Sequence, residues 1–146
     1  MKPINKFTMT MDSRSANECF ARLVASGFAA QLDPTVEELC DIKTAVSEAV
    51  TNCIVHAYPD GVGNIYIYAA IYGNGLFRIK IRDRGCGIED VKKAREPLYS
   101  SLGGERAGLG FAVMESFCDK VSVRSTLGKG TSVTLDKHIK GKPLAD

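Results

Sequence analysis

The chain of 146 residues contains no C-x-x-C pair, no run of Lys or Arg longer than two, and no apolar stretch of membrane-spanning length. Each absence removes a class of function. The five cysteines, Cys19, Cys40, Cys53, Cys86 and Cys118, are odd in number and widely spaced, which fits neither a disulfide framework nor a zinc site. Reduced thiols suit a cytosolic protein. Cys19, Cys53 and Cys118 fall in helical apolar patterns, where a thiol acts as a small hydrophobe. A net charge of +2 without basic runs gives little support for nucleic-acid or membrane-surface binding. The opening "MKPINKFTMT" lacks the apolar core of a signal peptide, so a soluble, cytoplasmic protein is expected. There is no internal repeat, no linker, and no G-x-x-x-x-G-K-[ST] phosphate loop.

What remains is an ordinary globular composition, 45% hydrophobic and 25% charged, long enough to bury a core within one domain over residues 1–146. "KFTMTM" alternates as a half-buried strand. "SANE" offers Ser15 and Glu18 as a capping box, and Phe20, Leu23, Val24 and Phe28 follow at helical spacing, giving a first helix to about residue 31. A second, long helix is expected from about Pro34 to His56, with Leu39, Ile42, Val46, Val50, Cys53 and Ala57 on its apolar side. "NIYIYAAIY" and "LFRIKIRD" form a hairpin across "GNG". A short charged helix lies around residues 89–95. Residues 98–110 read as a mobile glycine-rich loop, followed by a helix from Phe111 and a second hairpin across "LGKG". This order predicts an α+β two-layer sandwich, a mixed and mainly antiparallel sheet with helices on one face.

Three features read either as an ordinary solvated face and glycine turns or as the parts of a binding site. Glu48, Asn52 and His56 lie at i, i+4 and i+8 on the second helix, opposite its apolar side. The stripe is poor in the long charges of a solvated face, and Ser47, Thr51 and Asn52 are mediocre mid-helix residues. "RDRGCGIED" ends a strand with Asp83 and then spaces Gly85 and Gly87 as D-x-G-x-G, a loop that brings bare backbone close to something. "GLG", Gly108 to Gly110, stands before a helix, where free N–H groups attract phosphate.

Taken in order, E-x-x-x-N, D-x-G-x-G, a glycine-rich segment ending in G-x-G, and "GKGTSV" resemble the GHKL family of ATPases and kinases over the whole chain. Within it, the run from Ser13 to Tyr58, "AREPLY" and "ERAGLGF" are similar to the small anti-sigma serine kinases of endospore-forming bacteria.

The resemblance implies the GHKL (Bergerat) fold, ATP and Mg2+ as cofactors, and a homodimer. It also implies two partners, a sporulation sigma factor (sigma F) and an anti-sigma antagonist phosphorylated on serine. On it, Asn52 is the magnesium ligand, Asp83 accepts the adenine amino hydrogen, and Gly85 and Gly87 make room for the base. Ser101, Glu105, Arg106, Gly108, Leu109 and Gly110 belong to the phosphate lid, with Arg106 stabilising γ-phosphate charge, and Thr131 lies near the adenine. Glu48 is the base that takes the serine proton. Glu18 and Arg22 belong to a partner-docking helix. Cys86, inside the adenine loop, should be shielded by bound nucleotide. The alternatives are a stress-response anti-sigma kinase of the same fold, a module that holds ATP without chemistry, and a histidine-kinase catalytic domain. The last needs an attached phosphoacceptor histidine helix, and none is expected here.

Overall fold

The computed structural model of the chain describes residues 1–96 and 104–141, with residues 104–109 described by their backbone alone. Period-two alternation builds five strands, β1 (Asn5–Asp12), β2 (Asn64–Ile71), β3 (Leu76–Asp83), β4 (Lys120–Thr126) and β5 (Gly130–His138). They form one sheet in the order β1-β2-β3-β5-β4. Every ladder is antiparallel, so the sheet is not mixed. This follows from its joints: β2–β3 and β4–β5 are tight hairpins, turned at Gly75 (φ 90°) and at Gly128 (φ 80°).

One face of the sheet carries Ile65, Ile67, Ile79, Ile81, Val133 and Leu135 into the core. Each fully buried Ile or Leu stabilises the fold by about 1.5–3 kcal/mol. Helices α1 (Ala16–Ala29), α2 (Val36–Asn52) and α4 (Gly104–Phe117) cover that face, and α3 (Val91–Ala94) is a single turn. The Lys137 ammonium ties the layers together, donating to Asp41 of α2 and to the Phe117 carbonyl of α4, both at 2.9 Å. The opposite sheet face has no helix on it among the described residues.

Helix α1 departs from the sequence pattern. Phe28 is buried and meets Phe7 edge-to-face at 4.8 Å, but Phe20 and Leu23 are 50% and 61% exposed. The buried side is Ala21, Ala25 and Ala29, small residues that let α1 lie close on α2. Cys19 is exposed as well. Ser15 makes no side-chain cap bond. The capping box sits instead at α2, where Thr35 accepts from the Glu38 N–H at 3.0 Å and Glu38 accepts from the Thr35 N–H at 2.9 Å.

Helix α2 runs as expected to Asn52 and then widens into a π turn, Cys53–Ala57. Helix α4 begins at Gly104, so residues 104–110 are helical and not loop, and Gly108 and Gly110 lie inside the helix.

Burial pushes the Glu38 carboxyl up, yet the N–H groups of Thr35 and Lys140 outweigh it and hold it below its usual range. The cap therefore contributes at neutral pH and loses that part as pH falls through the carboxyl range. Thr35→Ala should cost about 1 kcal/mol in denaturant unfolding at pH 7. Ser15→Ala should stay within about 0.5 kcal/mol of the parent.

Candidate functional site

Asp83, the last residue of β3, is 6% exposed, and no cation pairs with it among the described residues. Backbone and thiol hydrogens hold it instead. Oδ1 accepts from the Gly85 N–H at 3.0 Å and the Thr131 N–H at 3.2 Å, and Oδ2 accepts from the Cys53 thiol at 3.5 Å. Burial first, then the nearby carboxylate, pushes the Cys53 thiol well above its usual range, so it stays a donor. Cys53 reads in the sequence only as one more apolar helix position, and nothing there marked it as a partner of Asp83.

The loop after Asp83 threads between the π turn and the β4–β5 hairpin. The Cys86 N–H donates to the Ala57 carbonyl at 2.9 Å, and the Gly128 N–H donates to the Cys86 carbonyl at 2.7 Å. The Cys86 thiol reaches the His56 carbonyl at 3.2 Å. Here the glycines find a different reason from the one expected. A Cβ on Gly85 would land on the Ala57 carbonyl, and one on Gly87 (φ 75°) would land on the Thr126 carbonyl. Gly85 and Gly87 thus make room for the protein's own backbone. Ser125, which the sequence did not single out, accepts from the Ile88 N–H at 2.7 Å and lies 2.8 Å from the Thr131 hydroxyl. It fastens the loop to β4 and β5.

The second half of the site is the polar stripe of α2, and it is not a solvated face. Both polar atoms of the Asn52 amide are buried and lack a hydrogen-bond partner among the described residues. Gly110 of α4 sits directly over the stripe. A Cβ there would stand 3.2 Å from Glu48 Oε2 and 3.3 Å from Asn52 Oδ1, so a larger residue would crowd both side chains. Asn52 and Cys53 are consecutive, so the orphaned amide and the thiol that holds the Asp83 carboxylate sit one residue apart at the end of α2. An unmet buried amide costs about 1–3 kcal/mol, a cost that an incoming ligand can relieve. Among the described residues no three His, Cys, Asp or Glu side chains converge on a metal position. An ion at Asn52 would take its remaining ligands from outside the protein, as magnesium does with phosphate oxygens and water.

Next along the same stripe, the Ser47 hydroxyl donates to Glu18, which also pairs with Arg22 at 3.4 Å. Arg22 is thus tied to Glu18 and half-exposed, beside the uncovered Phe20 and Leu23. Ser101 lies outside the described residues. Glu105, Arg106, Gly108 and Leu109 are placed on α4 by their backbone only.

A family model described as a histidine kinase-like ATPase domain matches residues 12–137. The sheet, the thiol-braced Asp83 and the Glu48–Asn52 stripe are thus the parts of an ATPase domain of that class. An anti-sigma F factor of Thermoanaerobacter sp. is 54% identical over 95% of this chain and 97% of its own. One from Geobacillus kaustophilus is 46% identical over 97% and 99%. The chain therefore belongs to the anti-sigma F factor family of histidine kinase-like ATPase domains. Among solved structures, the RsbU and RsbW domains of Rv1364c from Mycobacterium tuberculosis share the fold at a TM-score of 0.69 and 23% identity. They match 94% of this chain, which spans 33% of theirs. A histidine kinase domain from Erythrobacter litoralis shares it at 0.56 and 22%, over 84% of this chain and 60% of its own. No helix among the described residues is long and apolar enough to cross a membrane.

If Gly85 serves backbone packing, Gly85→Ala should lower the stability of the ligand-free protein by about 2 kcal/mol or more. Gly27→Ala, with open space around it, is the control and should not destabilise. An unchanged melting temperature for Gly85→Ala, with nucleotide affinity lost, would return the glycine to making room for a base.

Proposed function

We propose that the chain holds a sporulation sigma factor (sigma F) inactive and, as an ATP-dependent protein kinase, phosphorylates a serine of a small anti-sigma antagonist. The observation that carries the kinase half is the buried, unpartnered Asn52 amide one helical turn from Glu48 and beneath Gly110. The names of the similar proteins from Thermoanaerobacter and Geobacillus support the anti-sigma half.

The residues divide the work. Both N–H bonds to Asp83 fall on Oδ1, leaving Oδ2 with the thiol and a free lone pair for the adenine amino group. Thr131 lines the same end. Asn52 Oδ1 would hold magnesium, which neutralises phosphate charge when bound. Glu48 orients the incoming serine hydroxyl and takes its proton as the oxygen attacks. Within α4 the N–H groups left free by helix geometry are those of the first turn, residues 104–107, so phosphate contacts move there from Gly108 and Gly110. Arg106, in that turn, answers γ-phosphate charge. Gly110 serves the crossing with α2.

The docking surface is α1, where exposed Phe20 and Leu23 stand on the outer side and half-exposed Arg22 at its border, paired with Glu18. A planar guanidinium near exposed apolar side chains suits an interface hot spot. β1 is an edge strand with unpaired backbone groups on its outer side, and we assign the homodimer to this edge of the sheet.

The direct test incubates the protein with labelled ATP, magnesium and the antagonist. Serine labelling supports the reading; ATP binding without transfer would reduce the protein to a nucleotide-gated binding module. Glu48→Gln should bind nucleotide like the parent but transfer phosphate at least about 100-fold more slowly. Asn52→Ala should instead lose the magnesium-dependent part of ATP affinity. Transfer by Glu48→Gln within a few-fold of the parent would remove Glu48 as the base. Arg22→Glu should weaken sigma factor and antagonist binding by about 2 kcal/mol each while leaving ATP affinity unchanged. Parental affinity for both partners would take α1 out of the interface.

A further inference from the structure

The uncovered face of the sheet is not uniform. Toward the β2–β3 turn it holds a small apolar cluster, Ala70, Tyr72 and Leu76, beside the ion pair of Arg78 with Asp136 at 2.7 Å. Toward the other end the register sets Tyr66, Arg82, Ser132 and Arg124 side by side across β2, β3, β5 and β4. Arg84 follows β3, Lys80 precedes Arg82 on the same face, and Lys129 stands in the β4–β5 turn. Of these five cations none has an acidic partner among the described residues. The two guanidiniums of Arg82 and Arg84 lie over the Tyr66 ring, at 5.5 and 4.9 Å from its centre.

Like charges gathered on neighbouring strands repel, and a chain with net charge +2 has enough acids to have dispersed them. The concentration is local. It surrounds a shallow hollow of about 190 Å³, lined by Arg82, Arg124 and Lys129 with the hydroxyls of Ser132 and Thr126 between them. Guanidinium forks, an ammonium and hydroxyl donors without a neighbouring carboxylate at the mouth are the donor set for phosphate oxygens. Asp83, Ser125 and Thr131 also border the hollow, but the Asp83 carboxylate is buried and turned to the Gly85, Thr131 and Cys53 donors, and the Ser125 and Thr131 hydroxyls bond each other.

We propose that this hollow is a second anion site, on the sheet face opposite the Asp83 carboxylate and sharing only the wall of Asp83 and Thr131 with the nucleotide cleft, that takes a ligand carrying two or more phosphate groups. The reading does not depend on the kinase assignment. Its ligand shares phosphate chemistry whether the source is a free oligophosphate or the backbone of a single-stranded nucleic acid. The flat row of cations can follow either.

The test titrates tripolyphosphate into protein saturated with ADP, with magnesium in excess, by calorimetry at low salt. One further binding event is expected, without release of ADP. Its affinity should fall steeply with salt and drop about tenfold or more in the double variant Arg82→Ala/Arg124→Ala, with melting temperature and ADP affinity unchanged. Arg124→Glu alone should drop it further than Arg124→Ala. A parallel titration with oligothymidylate identifies the source: tighter binding than tripolyphosphate, lost in the same variant, assigns the phosphates to a polymer. Binding only by displacement of ADP would overturn the proposal, as would equal affinity in parent and double variant. A polyglutamate peptide that binds where neither phosphate probe does would overturn it too.

Discussion

Among the described residues the carboxylate of Asp83 is buried without a cation, and the architecture around it is arranged to keep it so. A lone ionised carboxylate is costly to take out of water unless its lone pairs are met. Three donors meet them, each from a different element: the loop after β3, the first turn of β5, and the end of α2. Moving any of these elements exposes the charge or leaves it unmet. The left-handed start of β5 at Gly130 (φ 121°), the π turn and the glycines at 85 and 87 all lie where those three segments come within hydrogen-bond distance.

The same closeness explains why the two halves of the site are one. Asn52 and Cys53 are adjacent on a single turn of helix, one facing α4 and the other facing Asp83. Cys53 ties that turn to Asp83 of the sheet, which fixes the backbone that carries Asn52. Gly110 then closes the other side. Electrostatic readiness in such a cleft comes from groups fixed before a ligand arrives, and here packing supplies the fixing.

Much of this was legible from the chain alone, and the failures have physical causes. Strand alternation, both hairpins and the E-x-x-x-N and D-x-G-x-G elements could be read because each follows from local periodicity or turn chemistry. The exposed Phe20 and Leu23 could not, since periodicity reports an apolar side without saying what covers it; alanines took the closer packing instead. Glu18 looked like a cap because spacing alone defines a capping box, whereas Ser47, twenty-nine residues away, claimed its carboxylate. The thiol on Asp83 and the backbone partners of Gly85 and Gly87 are long-range contacts with no local signature. The helical start of α4 was hidden by four glycines between residues 98 and 110, which lower helix propensity but do not forbid a helix packed on a neighbour. The clustering of basic residues was diluted in the net charge, and only strand register gathers them on one face.

The π turn at the end of α2 has a consequence for how this part of the molecule tolerates change over evolutionary time. A π turn holds one residue more than the α-helical turn it replaces. Upstream of it, the helix is fixed in phase by Ala45, Ala49 and Val50 in the core. Downstream, the carbonyls of His56 and Ala57 are fixed by Cys86. The surplus residue absorbs the mismatch between these two anchors, so the helix behaves as two segments with independent phase. Lengthening or shortening of the segment after Ala57 can then drift between lineages without rotating Glu48 or Asn52, and the polar stripe of α2 is insulated from variation in the loop beside it.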